Sequence, residues 1–172
     1  MAFGVRDTVF SMLVWMSRPQ KPPSGKMRTL SDRAALTTLI AAPLERCYAI
    51  ALDFERYPEW AKDVKEAVVR GRDGEGRVEL VEFRASALGR STRYTLKYDY
   101  SEFPNRLSWH LVDGDIMRSI DGAYSFVEVD GGTQVFYEIE IELVIPLPGF
   151  VKRRAEQRIL DTVKELKARA ES

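Results

Sequence analysis

Hydrophobic and polar residues alternate with a period of two along most of residues 64–145, as expected of β-strands with one buried face. Residues 91–101 show the clearest alternation, with threonine, leucine and tyrosines at the even positions and polar or charged residues at the odd ones. Turn-forming glycine, aspartate, asparagine and proline residues interrupt the alternation at regular intervals. The pattern predicts six strands at residues 64–70, 78–88, 91–101, 106–111, 120–126 and 133–145.

The last segment, residues 147–172, changes to the spacing of a helix. Its apolar residues recur at steps of three and four, which places them in one stripe: Val151, Ala155, Ile159, Val163, Leu166 and Ala170. The opposite face is rich in lysine, arginine and glutamate, as expected of a surface in water. The segment therefore predicts one long amphipathic helix whose apolar stripe needs a partner.

The segment before the alternating region predicts one strand and two short helices. Residues 31–41 are rich in β-branched and apolar residues and indicate a first strand. Residues 43–53 have helical spacing with Pro43 in the first turn, and residues 54–60, with Pro58 and three aromatic residues, indicate a second short helical turn. The predicted order is strand, two short helices, six further strands and a long helix, which is an α+β chain.

These elements predict a curved antiparallel sheet that wraps around the C-terminal helix. Strands joined by tight turns, with one apolar face, form a sheet whose apolar face must be covered. The terminal helix is the only predicted element long enough to cover it. One helix cannot fill the whole concave face of a twisted sheet, so a cavity between them is expected.

Four segments resemble a known superfamily: LDFERYPEWAKDVKEAVV (52–69), LSWHLVDG (107–114), MRSIDGAYSFVEVDGGTQVFYEIEIEL (117–143) and PLPGFVKRR (146–154). With the element order, they resemble the helix-grip fold of the START-like and birch-pollen-allergen-like superfamily (SRPBCC). Within it, the chain is similar to the bacterial polyketide cyclase/dehydrase and coenzyme-Q-binding group. The resemblance implies a seven-stranded sheet, and a cavity for a lipid, an isoprenoid quinone or a polyketide intermediate. It also implies a domain at residues 28–172, preceded by an extension and linker at residues 1–27.

The candidate ligand-binding residues are the inward-facing residues of the strands, the first half of the helix stripe and Trp60, which the resemblance places at the cavity rim. They are Trp60, Phe83, Tyr94, Leu96, Tyr98, Tyr100, Trp109, Tyr124, Phe126, Tyr137, Ile139, Ile141, Val151, Ala155 and Ile159. Each of them alone is consistent with an ordinary core residue. Several buried tyrosine hydroxyls on one concave face, however, need hydrogen-bond partners, which indicates a cavity that holds water or a ligand with oxygen atoms.

No pattern in the sequence predicts a catalytic residue, a metal site or a cofactor. His110 is the only histidine, but its position in the alternation places it on the polar face. Asp113 and Asp115 flank Gly114, which is typical of a turn, and Cys47 lies in an apolar helical pattern, which is typical of an inert buried thiol. Three functions remain open: a carrier of a hydrophobic ligand, a polyketide cyclase or dehydratase that uses tyrosine hydroxyls and ordered water, and a protein-interaction module.

Lys152, Arg153, Arg154 and Arg158 form a basic cluster at the start of the long helix. Positive charge is unfavourable at this end of a helix dipole, so the cluster needs an explanation. It is either a solvated group partly offset by Glu156, or a device that guides an anionic headgroup to one mouth of the cavity.

Composition limits the partners. Lys plus Arg equals Asp plus Glu at 26 each, so the chain has no basic field that would attract nucleic acid. The single cysteine is consistent with a reducing compartment, and we expect a cytoplasmic protein. The apolar run at residues 8–16 is shorter than the roughly 20 residues of a membrane-spanning helix. It is either a poorly ordered tail or a segment on an anionic membrane surface, without stable insertion. The sequence predicts no oligomeric state.

Overall fold

The structure, a computed structural model, describes residues 32–87, 89–144 and 148–172. The predicted extension at residues 1–27 and the end of the last predicted strand, at Ile145, lie outside these residues. In chain order the elements are β1 (Asp32–Ile40), α1 (Leu44–Leu52), a 3₁₀ helix (Phe54–Arg56), α2 (Tyr57–Trp60), β2 (Val64–Arg72), β3 (Val78–Ala87), β4 (Arg90–Asp99), β5 (Arg106–Gly114), β6 (Met117–Val129), β7 (Gly132–Leu143) and α3 (Gly149–Glu171). The predicted order of elements and the α+β class are confirmed.

The seven strands form one antiparallel sheet in the order β1-β7-β6-β5-β4-β3-β2. Strands β2 to β7 follow one another as hairpins, so each of them pairs with its neighbour in the chain. Strand β1 instead pairs with β7, with Ile40 opposite Thr133. The helices between β1 and β2 therefore cross from one edge of the sheet to the other, over the inner face.

Side chains on the inner face are buried because they alternate along each strand with outward-facing polar residues. In β4 the even positions Thr92, Leu96 and Tyr98 are buried, whereas Arg93 and Asp99 are exposed. The same alternation holds in β7 for the inner residues Val135, Tyr137 and Ile139. In these strands, the residues that the sequence predicted to face inward are thus the ones that lie on the inner face of the sheet.

Helix α3 covers the sheet unevenly, because its apolar stripe is fully buried only in the C-terminal half. Val163 and Leu166 are 0% exposed, whereas Val151 and Ile159 are only partly buried. The C-terminal end is also tied to α1 and to the end of β1. Arg46 Nε donates a hydrogen bond to the Ala170 carbonyl at 2.6 Å. Glu171 Oε1 accepts one from the Ala41 amide at 2.8 Å.

Two turns that differ from their predicted bounds are held by aspartate side chains. Strand β6 begins at Met117 rather than at Ile120, because Met117 and Ser119 pair with Leu143 and Glu142 of β7. In the turn before it, the Asp115 carboxylate accepts hydrogen bonds from the Thr92 hydroxyl and, at 2.9 Å, from the Arg93 amide. The turn predicted at residues 71–76 is shorter, and β2 continues to Arg72. There, Asp73 Oδ1 accepts from the Glu75 and Arg77 amides, each at 2.9 Å.

Gly122 in β6 makes room for the indole ring of Trp109, which lies directly opposite in β5. A Cβ atom at residue 122 would lie 2.5 Å from Cζ2 and 2.7 Å from Nε1 of Trp109. Because the ring is rigid and only 6% exposed, it cannot move aside freely. The glycine therefore determines where the largest side chain of the inner face lies.

We predict that Gly122→Ala lowers the free energy of unfolding by about 1–3 kcal/mol, because the methyl group displaces a packed ring. Gly74→Ala is the matched control, since a Cβ there meets nothing within 4 Å and the change should be about 0.5 kcal/mol or less. Urea unfolding followed by tryptophan fluorescence measures both. Equal stability of the two variants would show that the Trp109 ring is not fixed by this contact.

Candidate ligand-binding cavity

A cavity of about 610 Å³ lies between the inner face of the sheet and the N-terminal half of α3. This volume falls within the range of about 300–1,000 Å³ that is usual for small-molecule sites. The cavity exists because the first half of the helix stripe consists of small or half-buried side chains. Ala85 on the sheet and Ala155 on the helix are both part of the wall, and neither side chain is long enough to reach across it.

Most of the sequence-predicted residues line this cavity. They are Phe83, Tyr94, Leu96, Tyr98, Trp109, Tyr124, Tyr137, Ile139, Ile141, Val151, Ala155 and Ile159. The structure thus brings β3, β4, β5, β6, β7 and α3 together around one space. Their role in binding a ligand stays a prediction.

Trp60, Tyr100 and Phe126 do not line the cavity. The Tyr100 hydroxyl donates to the Val78 carbonyl at 2.8 Å. The Phe126 ring packs at 4.7 Å between centroids against Tyr48 of α1. Tyr100 and Phe126 have the inward parity, but they lie towards the end of the sheet that α1 and the β4–β5 turn cover. The Trp60 ring packs against Tyr57 at 4.6 Å and is not part of the wall.

Several wall residues were not among the predicted set. Tyr57 comes from the short helix α2, and its hydroxyl donates to the Ala51 carbonyl at 2.7 Å. Asp63, Phe150, Arg154 and Arg158 lie on the wall near its opening. The two arginines belong to the basic cluster noted in the sequence, whereas no sequence pattern marked Asp63 or Phe150.

Four tyrosine hydroxyls face the open space. The side chains of Tyr94, Tyr98, Tyr124 and Tyr137 all line the cavity, and none of these hydroxyls donates a hydrogen bond to another described group. In the described part of the chain, no fully buried side-chain polar atom lacks a partner. These hydroxyls are therefore not sealed in the core, and they offer hydrogen-bond donors to whatever occupies the cavity.

Aromatic packing fixes the position of these hydroxyls. The Trp109 ring lies 5.3 Å from that of Tyr124 and 5.9 Å from those of Tyr98 and Tyr137, between centroids. Tyr124 and Tyr137 are themselves 4.9 Å apart. Such tilted contacts stabilise rings beyond the effect of burial alone. The donors are thus held in place before any ligand binds.

Burial raises the pKa of all four tyrosines, and that of Tyr94 to about 12. The cause is the loss of water around the phenolate, which would be charged. Near neutral pH the four side chains are therefore neutral phenols. They can donate hydrogen bonds but cannot act as bases.

The exposed residues of the wall mark one edge as the mouth of the cavity. They are Gly89 in the β3–β4 turn and Phe150, Arg154 and Arg158 in α3, whereas the other wall residues are buried or half-buried. The Phe150 side chain is 70% exposed at this mouth. Arg158 pairs with Asp63 there. Its Nε lies 3.0 Å from Asp63 Oδ2, and its Nη2 makes a second contact with Asp63 Oδ1.

The described wall contains no histidine or cysteine, and its one carboxylate, Asp63, is paired with Arg158. His110 is exposed on the outer face, and Cys47 is buried away from the cavity, where burial raises the pKa of its thiol. The described residues also hold no group of three side chains suited to a metal ion. The wall residues that the structure describes therefore hold no imidazole, no thiol and no unpaired carboxylate.

A second concavity of about 740 Å³ lies on the outer, polar face of the sheet. Its charged side chains largely neutralise one another: Glu138 pairs with Arg33 at 3.3 Å and also with Arg106. A surface whose charges already pair with one another has less to offer a ligand than the interior cavity has.

No helix of the described ranges is both long and apolar enough to cross a lipid bilayer.

The family model described as polyketide cyclase / dehydrase and lipid transport matches residues 40–166. The match runs from the end of β1 into the last turns of α3, so it covers nearly the whole cavity wall. No curated protein matches the chain at a significant level.

Solved structures share the fold. A START superfamily protein from Mycobacterium smegmatis is 24% identical, with a TM-score of 0.74 over 81% of this chain and 97% of that one. The Zhui aromatase/cyclase from Streptomyces sp. R1128 is 14% identical, with a TM-score of 0.63 over 83% and 94%. The ginseng major latex-like protein 151 from Panax ginseng is 13% identical, with a TM-score of 0.62 over 83% and 99%. At these identities, the likeness shows the helix-grip fold.

We predict that the protein unfolds as its tyrosines ionise in alkali. Below pH 10, the ordinary tyrosine pKa, the phenols are neutral in both folded and unfolded chains, so their burial stabilises the fold fully. Above it, only the unfolded chain ionises, and each cavity tyrosine lowers stability by up to about 1.4 kcal/mol per pH unit. This contribution is lost as the pH rises through the raised pKa values.

Absorbance at 295 nm measures tyrosinate, and tryptophan fluorescence measures unfolding in the same titration. We expect the two signals to change together above pH 10, whereas the chain in concentrated urea titrates near pH 10. Tyrosinate formation near pH 10 with the fold intact would contradict the burial of the hydroxyls.

Proposed function

The chain belongs to the polyketide cyclase / dehydrase and lipid transport family, and from this membership and the cavity we propose that it binds and carries one hydrophobic small molecule. The observation that carries the proposal is a cavity of about 610 Å³ with an apolar wall and four tyrosines whose hydroxyls bond to no other described group. The ligand occupies the space between the sheet and the N-terminal half of α3.

The wall favours a ligand with an apolar body. Ile139 and Ile141 of β7, Leu96 of β4 and Ile159 of α3 present aliphatic surface to the cavity. Removing apolar ligand surface from water is favourable by roughly 25 cal/mol per Å². An elongated hydrocarbon or ring system therefore gains most of its binding energy from this part of the wall.

The tyrosine hydroxyls favour a ligand that carries oxygen atoms within its apolar body. A neutral phenol donates to a carbonyl or ether oxygen, and the acceptor replaces the water that would otherwise satisfy the hydroxyl. Quinones, ketones and esters all supply such acceptors. The proposed ligand class is accordingly a lipid, an isoprenoid quinone or a polyketide-like molecule.

A carrier fits the wall better than an enzyme does. Cyclisation of a polyketide chain requires a base to remove a proton next to a carbonyl. The cavity tyrosines are held neutral by burial, and Asp63 is engaged by Arg158. The described wall thus supplies proton donors without a free base, which suits holding a ligand more than converting it.

A cyclase or dehydratase is the second candidate, and the unpartnered hydroxyls are the observation that favours it. A hydroxyl that donates to a ketone also stabilises the negative charge that develops on its oxygen in an enolate. With ordered water as the proton acceptor, the same four tyrosines would serve that reaction. The two candidates differ in whether the bound molecule leaves the cavity chemically changed.

We predict that Ala155→Phe strongly weakens ligand binding, because the ring occupies part of the cavity from the helix side. The measurement is the Kd of the neutral fluorescent probe N-phenyl-1-naphthylamine, which should rise roughly tenfold or more. Ala168→Phe is the matched control, since Ala168 is exposed on the same helix. Circular dichroism of both variants checks the fold. Unchanged probe affinity in a folded Ala155→Phe protein would place the binding site elsewhere.

We further predict that mass spectrometry of gently purified protein detects a bound apolar molecule with at least one oxygen. The carrier proposal expects the molecule to be released with unchanged mass after incubation and re-extraction. Loss of water or formation of a ring in a supplied polyketide would favour the cyclase. An empty cavity in every preparation would favour an interaction module and contradict both.

A further inference from the structure

We infer that the ligand is an amphipathic anion, with its carboxylate or phosphate bound by Arg154 at the mouth and its apolar body in the cavity. The inference rests on the proposed function and adds the chemistry of one end of the ligand. It follows from how the arginines near the start of α3 are divided between the wall and the solvent.

The three arginines have different surroundings. Arg158 lines the cavity but is paired with Asp63 through two contacts. Arg153 is exposed and is not part of the wall. Arg154 lines the cavity, and no carboxylate among the described side chains forms an ion pair with it. Among the described residues of the wall, Arg154 is therefore the cation that an incoming anion can reach.

Cationic and apolar side chains share one face of α3 at the mouth. Val151, Ala155 and Ile159 lie on the wall at helical spacing, and Arg154 and Arg158 lie one turn apart beside them. A ligand that lies along this face meets guanidinium groups at the opening and aliphatic surface further in. A purely apolar ligand would use only the aliphatic surface, whereas an amphipathic anion would also pair with Arg154.

The interior determines which end of the ligand enters. Tyr98, Tyr124 and Tyr137 are 5–6% exposed, and their neutral hydroxyls offer no positive charge. Moving an unpaired anion to that depth is costly because it loses water without gaining a counter-ion. At the mouth, an anion keeps part of its hydration and pairs with Arg154. The ligand therefore binds with its head at the mouth and its tail inside.

The Arg158–Asp63 pair shows that this mouth accommodates a carboxylate against a guanidinium in two-contact geometry. Helix α3 also begins at Gly149 without a side-chain cap and without an acidic residue in its first turn. The first amide groups of the helix therefore add positive potential at the same edge. Both features favour a negative head over a neutral one.

The test compares three ligands with the same alkyl chain: dodecanoate, dodecyl phosphate and dodecanol, each below its micelle-forming concentration. In wild-type protein, the two anions should bind more tightly than dodecanol. Added NaCl should lower the affinity for the anions and leave the affinity for dodecanol unchanged. Arg154→Gln should weaken anion binding about three- to tenfold, because the guanidinium is partly solvated, and leave dodecanol unchanged. Arg153→Gln removes the same charge outside the wall and should change each affinity less than about twofold.

The outcomes separate this inference from the proposed function. Equal affinity for the anions and dodecanol, or equal loss in the Arg153→Gln and Arg154→Gln variants, would overturn the anion inference and leave the carrier intact. A third outcome concerns vesicles of phosphatidylglycerol. If Arg153→Gln and Arg154→Gln weaken vesicle binding equally and leave dodecanoate binding unchanged, the anion inference is overturned in favour of binding to a membrane surface. If none of the three ligands binds, and Ala155→Phe does not alter probe binding, the cavity proposal itself fails. A preference for dodecyl phosphate over dodecanoate supports the inference and identifies a phosphate head.

Discussion

The structure depends on one geometric constraint: one long helix, with α1 at one end, has to cover the concave face of a seven-stranded sheet. The apolar stripe of α3 is narrower than that face, so close packing is possible along only part of its length. At the C-terminal half, β1 and α1 close around the helix, and Val163 and Leu166 are fully buried. At the N-terminal half no such elements converge, and the cavity remains. The cavity is thus a consequence of how the sheet is covered.

The second determinant is the placement of neutral hydroxyls in an apolar wall. Rings packed around Trp109 hold Tyr98, Tyr124 and Tyr137 in position, and Gly122 leaves the space that Trp109 needs. Because burial disfavours the phenolate, these groups are donors near neutral pH. The same desolvation that keeps them neutral also strengthens any hydrogen bond they make to a ligand. Packing, protonation state and recognition are therefore linked through one aromatic cluster.

The sequence predicted which residues share a face, but not how far along the strand each one lies from the helix. Parity placed Tyr94 and Tyr98 on the inner face, and the helix stripe placed Val151 opposite them. Parity could not distinguish these residues from Tyr100, which lies beyond the cavity and donates to Val78. The distance along a strand from a covering helix depends on tertiary packing, which no short-range pattern encodes.

Contacts between distant parts of the chain were likewise not predictable from periodicity. Asp63 and Arg158 meet across the mouth although they are 95 residues apart. Asp115 likewise stabilises its turn through Thr92, which lies 23 residues away.

The uneven anchoring of α3 separates two kinds of selective pressure on one element. Substitutions in its last three turns affect whether the chain folds, since Arg46 and Ala41 bond to that end of the helix. Substitutions in its first three turns have less packing to disturb, because that half of the helix faces the cavity. A protein built this way tolerates changes at a few positions near residue 150, with little effect on the stability of the rest. The same region is where a designer would begin to adapt this scaffold to a different small molecule.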